Sequence, residues 1–222
     1  TRLTDCQSVI YRNGAADFEM NSNDVNLLDY EGTGGVILSG TALASEPSRS
    51  AIFTAIDRAR VANTPVIIDM DYRPYSWASP EEAKEVYSSA ISLCDIVIGN
   101  DVEFGVVAGN NVEGLNYASQ LVTKTPEIVI YKKGEFGSKT FTKNKSFDTG
   151  IFPVQAIKPT GAGDSFMGGL IAGLANSMTL EYAIIQGSAS AALVVTRVAC
   201  STAMPFQTEL SEFLKINTLS QI

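Results

Sequence analysis

The chain has 222 residues, of which 45% are hydrophobic, carries a formal net charge of −8 and contains no histidine. That length allows one large domain, or one domain with an appendage, and the acidic balance argues against nucleic acid or an anionic membrane as partner. The absence of histidine removes Ser-His and Cys-His nucleophilic catalysis and the usual zinc sites, so acid–base chemistry falls to Asp, Glu, Lys, Tyr or Cys. Cys6, Cys94 and Cys200 are far apart and fit no metal spacing, which reads as buried free thiols of a reducing, cytoplasmic protein. No apolar run is long enough to span a bilayer, and no secretory leader is recognised.

The opening segment, "TRLTDCQSVIYRNGAADFEM", alternates apolar and polar residues as a strand would. "NSNDVNLLDYEGTGG" (21–35) is the best candidate hinge, dividing residues 1–30 from 31–222. From there the pattern repeats strand then helix. "GGVILSG" (34–40) is a short apolar run ending in glycine. "SEPSRSAIFTAIDRARVAN" (45–63) has Ser45 or Ser48 as cap and Ile52, Ile56 and Ala59 at helical spacing. "TPVIIDMDYRP" (64–74) is a strand with charges at its exit. "SPEEAKEVYSSAISLC" (79–94) is a helix capped by Ser79, with Pro80 in its first turn. "CDIVIGN" (94–100) is a strand, "DVEFGVVAG" (101–109) a short helix and "PEIVIYKKG" (126–134) a fourth strand. A hairpin or meander over 137–157, two helices after Gly163 and a tail helix in "TELSEFLKI" (208–216) complete the pattern.

Buried strands alternating with amphipathic helices predict an α/β fold with a mostly parallel sheet covered on both faces. Ligands bind beyond the C-terminal strand ends of such sheets. That rule singles out Asp69, Asp71, Arg73, Asn100, Glu103, Lys132, Gly134 and Gly137.

The segment "KPTGAGDSFMGGLIAGLAN" (158–176) carries the sharpest signal. Gly161 and Gly163 permit backbone angles other residues avoid, and a helix starting near Ala162 presents N–H groups suited to an anion. Asp164 then has two readings, an acidic residue favouring the helix N-terminus or a base beside a transferring phosphoryl group. Gly168, Gly169, Ala172 and Gly173 would let the helix pack closely, with Phe166, Leu170, Ile171 and Leu174 as its buried stripe.

"TGAGDSF" resembles the signature of the ribokinase (PfkB-type) carbohydrate kinase family. Three further elements follow in the family's order and spacing: "NDVE" at Asn100 and Glu103, "KKGEFGS" at Gly134 and Gly137, and "DMDYRP" at a strand end. The resemblance covers nearly the whole chain. It implies a ribokinase-like fold with part of a small β lid over residues 1–30, through which a homodimer could form, followed by the nucleotide-binding and catalytic domain. It implies ATP-dependent phosphorylation of a sugar hydroxyl, with Asp164 as general base and Gly161, Ala162 and Gly163 as an anion hole. Asn100 and Glu103 would act on Mg²⁺ mainly through water. Lys132, Gly134, Gly137 and Ala189 would contact the nucleotide, with Gly187 and Ala191 on the same small-residue helix. Read without the family, Asn100 and Glu103 form a helix cap, and Gly134 to Gly137 form a hairpin turn.

"VIYRNGAADFEM" resembles the segment of family members acting on sugar acids, and guanidinium groups at Arg12 and Arg73 suit a carboxylate. The implied substrate is 5-dehydro-2-deoxygluconate of inositol catabolism, with 2-dehydro-3-deoxygluconate or a fructose-like sugar as alternatives. Against this, Arg12 also reads as a solvated strand charge and Arg73 as the partner of Asp69 or Asp71. Lys158 and Pro159 stand where many family members carry Asp-Thr, a departure at the family's monovalent-cation site, and Lys132 stands where many carry Thr. The family's leading strand and Gly-Gly segment have no counterpart before Thr1, so the chain is expected to begin partway through the family domain. A catalytically inactive nucleotide-binding module is therefore the non-enzymatic alternative.

Overall fold

The structure, a computed structural model, describes residue 12 and residues 14–220. These residues form two compact units: 12, 14–133 and 139–147 in the larger, and 134–138 with 148–220 in the smaller.

A sheet of order β1-β2-β3-β4-β5-β6 lies mainly in the larger unit: β1 Val36–Ser39, β2 Val66–Asp69, β3 Ile96–Asn100, β4 Ile128–Lys132, β5 Ser138–Thr142 and β6 Ser146–Thr149. The first four strands run parallel, and their registers place Ser39 beside Asp69, Asp69 beside Ile98 and Asn100 beside Lys132. The C-terminal ends of β2, β3 and β4 therefore lie in one row. Strands this short and apolar (VIID, IVIGN, IVIYK) are stable only when covered on both faces. α1 (Ser22–Asn26), α2 (Ser48–Val61), α3 (Pro80–Ile91), α4 (Asp101–Ala108) and α5 (Gly114–Leu121) provide the helical layers. Ile52, Ile56 and Ala59 of α2 and Tyr87 and Ile91 of α3 join Val66, Ile68, Val97 and Val129 in one core.

Local sequence chemistry explains most boundaries. Ser79 caps α3 by accepting the Glu82 N–H at 3.1 Å, with Pro80 in the first turn as expected. Gly109, at φ 91°, closes α4. Neither Ser45 nor Ser48 caps α2. Pro47 occupies that position, and the Ser48 hydroxyl is buried, donating to the Ala42 carbonyl at 2.6 Å. The strand expected over 64–74 narrows to Val66–Asp69, because Asp71 adopts φ 40° and Pro74–Ser76 winds into a 3₁₀ turn. α5 was not expected. Its stripe of Ala118 and Leu121 is short, and glycine and asparagine among its first residues hide it.

The expected division at residue 30 is not where the compact units part. Residues 14–30 belong to the larger unit: Ser22 and Thr54 hydroxyls meet at 2.8 Å, and the Thr64 hydroxyl donates to the Tyr30 carbonyl at 2.6 Å. Where a strand was expected, Ala16–Phe18 forms a 3₁₀ turn. Residues 1–11 and 13, on which the rest of the lid expectation falls, lie outside the described residues, as does Cys6. Cys94 is buried as expected, but Cys200 is exposed.

The smaller unit contains α6 (Ala162–Ala175), α7 (Leu180–Val195) and α8 (Gln207–Ile216). Phe152, Ala189, Ala192 and Leu210 form its apolar cluster. α6 and α7 approach backbone to backbone. A Cβ on Gly169 would stand 2.8 Å from the Gln186 carbonyl oxygen, and one on Gly173 would stand 2.8 Å from Ala183 Cβ. Gly168 differs from the expectation, since it is exposed and a Cβ there would meet nothing within 4 Å. Phe166 and Leu170 are buried, whereas Ile171 and Leu174 are half-buried. Gly169→Ala must therefore push α6 away from α7, and is expected to cost about 1–3 kcal/mol by the usual penalty of overpacking. Gly168→Ala, in a helix interior with open space, is expected to stabilise by up to ~1 kcal/mol. Denaturant unfolding of the two variants checks both signs.

Candidate active site

The row of strand ends gathers six of the expected residues in the larger unit. Asn100 closes β3 and caps α4. Its side chain accepts the Glu103 N–H at 2.9 Å, while Glu103 Oε2 accepts the Asn100 N–H at 2.6 Å. This reciprocal pair is the capping box that "NDVE" encodes locally. Glu103 does more than cap, because its Oε1 accepts the Tyr72 N–H, 31 residues away in the β2 exit loop, at 3.2 Å. Each carboxylate oxygen thus holds one backbone donor from a different segment.

Glu103 is 3% exposed. Burial pushes its carboxyl up to about 7. Lys132 and the Asn100 N–H pull against this, and Asp69 and Asp71 add to it. Lys132, at the end of β4, reaches across β3 to Asp69, with Nζ 3.2 Å from Oδ1 and 3.5 Å from Oδ2. Burial draws the Lys132 ammonium down, but Asp69, Glu103 and Asp71 outweigh it and leave its pKa raised. Gly99 makes room for this arrangement. A Cβ there would stand 2.8 Å from Met70 Sδ and 3.2 Å from Glu103 Oε2. The Tyr87 hydroxyl, missed by sequence reasoning because it sits mid-helix in an apolar stripe, donates to the Met70 carbonyl at 2.6 Å and fixes the same exit loop from below.

The two arginines are already paired. Arg73 forms an ion pair with Asp71 and donates from Nη1 to the Tyr72 carbonyl at 3.1 Å. Arg12 pairs with Asp17 and lies over the Phe18 ring, 4.3 Å from its centroid. Each guanidinium therefore has a carboxylate partner.

The second constellation belongs to the smaller unit. Gly161 adopts φ 88° and precedes α6, a conformation that L side chains rarely take. The Ala162 N–H donates to the Pro159 carbonyl at 3.1 Å, and the Gly161 carbonyl accepts the Ser165 N–H at 2.9 Å. The N–H groups of Gly163 and Asp164 fall in the first turn, where no intrahelical acceptor exists. Asp164 is the third residue of the helix and is exposed, and its side chain is not the cap, since Gly161 holds that position without a side-chain bond. Lys158 stays beside the elbow, donating to the Thr160 carbonyl at 2.6 Å and approaching Cys200 Sγ at 3.3 Å. Gly134 (φ 59°) and Gly137 (φ 77°) bracket a 3₁₀ turn that links β4 to its neighbour β5, the hairpin reading of this stretch. Ala189 corrects an expectation. It is fully buried within the apolar cluster of α7 and α8, and presents no surface to a ligand. Gly187 is likewise packed inside, where a Cβ would stand 2.7 Å from the Phe166 carbonyl oxygen.

Among the described residues, no group of three or more Cys, Asp or Glu side chains is arranged to hold a metal ion directly. Both Glu103 oxygens already accept backbone N–H groups, so this pair fits a cation held through water and not one stripped of its hydration. The elbow fits a phosphate, since it offers unengaged first-turn N–H groups at the positive end of a 14-residue helix. Among the described residues, no helix is long and apolar enough to cross a membrane.

Comparison with known proteins shows the family. Residues 2–207 match the pfkB family carbohydrate kinase model. A 5-dehydro-2-deoxygluconokinase of Photobacterium profundum is 41% identical over 216 residues, covering 95% of this chain and 65% of the relative. Its namesake in Geobacillus kaustophilus is 37% identical over 216 residues, covering 96% and 64%. The chain thus spans slightly less than two thirds of the length of these relatives. Among solved structures, fructokinase from Vibrio cholerae, bound to fructose, ADP and calcium, superposes with a TM-score of 0.77 at 28% identity, covering 88% of this chain and 64% of that one. Aminoimidazole riboside kinase from Salmonella enterica, complexed with aminoimidazole riboside and an ATP analogue, gives 0.77 at 25% identity, covering 87% and 66%. The fold is ribokinase-like, and the chain belongs to the pfkB family of carbohydrate kinases.

Proposed function

We propose that the protein containing this chain transfers the γ-phosphoryl group of ATP to a hydroxyl of a sugar acid, with 5-dehydro-2-deoxygluconate as the preferred acceptor. The observation that carries the reading is an exposed carboxylate, Asp164, on the first turn of α6, directly after a positive-φ glycine and beside N–H groups that lack intrahelical partners. An anion bound there sits next to a base. In a chain without histidine, a carboxylate is the natural acceptor for a hydroxyl proton.

On this reading the sugar hydroxyl oxygen attacks the γ-phosphorus, its proton passes to the Asp164 carboxylate, and the bond to the β-phosphate oxygen breaks to release ADP. The first-turn N–H groups of Gly163 and Asp164 hold the charge that accumulates on the transferring group. Magnesium, when bound with the nucleotide, supplies further neutralisation of phosphate charge, and Asn100 and Glu103 would meet it through water. Nucleotide contacts at Gly134, Gly137 and Lys132 belong to the same reading. For Lys132 that means giving up or sharing Asp69.

Two lines support the sugar acid: relatives at 33–41% identity carry the name 5-dehydro-2-deoxygluconokinase, and two guanidiniums are available for a carboxylate. Because Asp17 and Asp71 hold them in the absence of substrate, a sugar carboxylate binds by exchange of one anionic partner for another. A neutral sugar is the second reading, favoured by the fructose-bound Vibrio cholerae structure with its TM-score of 0.77.

Two outcomes are expected from steady-state assays of the complete protein with ATP and magnesium. Asp164→Asn leaves nucleotide affinity near wild type and lowers kcat by about 10²–10⁴-fold, and near-normal turnover removes Asp164 from the chemistry. Across a panel of sugars, 5-dehydro-2-deoxygluconate is used best, other sugar acids less well, and fructose or ribose least. Arg12→Ala and Arg73→Ala should each weaken sugar-acid use by ~1.5–3 kcal/mol, the worth of a charged hydrogen bond. Preference for fructose, indifferent to both arginines, would leave a kinase with a neutral acceptor.

A further inference from the structure

α7 holds the elbow from both sides. Before it, the Ile157 and Lys158 N–H groups both donate to the Val195 carbonyl at the end of α7, at 2.7 and 3.2 Å. After it, the hydroxyl of Ser165, the residue next to Asp164, meets the hydroxyl of Ser190 at 2.8 Å. One turn further along α6, Gln186 Nε2 donates to the Gly169 carbonyl at 3.0 Å. Ser165, Gln186 and Ser190 are 2%, 1% and 5% exposed, in a helix pair that approaches closely at Gly169, Gly173, Ala183 and Gly187.

Packing alone does not call for these polar groups. Alanine at 165 and 190 would fill nearly the same space, and burying a hydroxyl is unfavourable unless it is bonded. What the bonds add is direction. Smooth, small-residue faces resist rotation about the helix axis weakly, and a hydroxyl pair with one geometry fixes it. The Ser165–Ser190 pair lies one residue from the carboxylate, so a small rotation of α6 there moves Asp164 and its neighbouring N–H groups together.

We propose that Ser190, acting through Ser165, is a positioning residue that sets the orientation of Asp164 and of the α6 first turn. The assignment rests on the kinase reading above for its catalytic consequence, but its structural half stands without that reading. Removing one hydroxyl leaves the other buried and unpaired, whereas removing both restores an apolar contact. Stability and catalysis should therefore part company. Ser190→Ala and Ser165→Ala are each expected to lower the melting temperature, and the double variant to recover most of that loss. kcat is expected to fall on the order of tenfold in all three, by misplacement of the base, with both KM values within about twofold of wild type. Ile184→Val, a fully buried change on α7 that touches none of these bonds, should lower the melting temperature and leave kcat unchanged.

The test uses the complete protein and adds amide hydrogen exchange, which needs no activity. Faster exchange at the Ser165 amide, which the Gly161 carbonyl holds at 2.9 Å, in Ser190→Ala, together with the kinetic pattern, supports the assignment. Unchanged exchange at this amide overturns it whatever the enzyme does. A kcat that follows melting temperature across all variants, Ile184→Val included, overturns it as well. A wild-type protein that phosphorylates no sugar removes the kinase reading, while the exchange result still decides whether Ser190 orders the turn.

Discussion

The larger unit depends on one buried carboxylate. Glu103 ties the Asn100 N–H at the end of β3 to the Tyr72 N–H in the loop leaving β2, and Lys132 at the end of β4 supplies the compensating charge with Asp69. Burying a carboxylate is tolerated only when its oxygens are bonded and a cation is close. Both conditions are met here, by backbone donors and by the lysine. The arrangement leaves no room for a side chain at residue 99, and Asp71 adopts φ 40°, in a region where aspartate is among the few non-glycine residues found. A cation, three carboxylates and a strained backbone thus converge at the place where parallel sheets bind ligands.

The titration of this network has a definite sign. Glu103 has its folded pKa raised from 4.5 to about 7, so it binds a proton more readily folded than unfolded, and its contribution to stability falls as pH rises across that window. Lys132 is also raised, above its ordinary 10.5. Its contribution is therefore complete below that value and is lost only as pH climbs through the raised one. At neutral pH the lysine contribution is intact and most of the Glu103 contribution is already lost.

Local signals were legible in the sequence where they are chemical and short. The Asn-x-x-Glu box, the Ser79-Pro80 start of α3, the glycine before α6 and the Ile52/Ile56/Ala59 stripe all act within a turn or two of themselves, and each is where the residues placed it. What the sequence withheld is set across long separations. That Glu103 also reaches Tyr72, that Lys132 pairs with Asp69, and that Tyr87 serves the Met70 carbonyl depend on strand order, which no local pattern contains. Ala189 was misread for a related reason. A small residue on a helix signals close approach, but only the packing decides whether a ligand or another helix approaches, and here it is the cluster around Phe152 and Leu210. Residues 16–18 were misread because alternation over a few positions does not by itself set a strand, and here they wind into a 3₁₀ turn.

The paired arginines change how selectivity must arise on the proposed reading. Had Arg12 and Arg73 been unpartnered, a carboxylate would be favoured by charge, since a neutral sugar would leave two partly buried cations uncompensated. With Asp17 and Asp71 in place, neutral and acidic ligands both leave the guanidiniums compensated. Exchange of one carboxylate for another is close to even in Coulomb energy, so what separates ligands is geometry: whether the incoming group presents two oxygens in the plane of the guanidinium, as bidentate pairing requires. Arg73 meets this demand from a constrained position, its backbone leading into the Pro74 turn and its Nη1 already donating to the Tyr72 carbonyl. Its remaining N–H groups therefore point in directions fixed by the same exit loop that Glu103 holds. In that sense the buried carboxylate that organises the strand ends also limits where an acidic substrate could place its own.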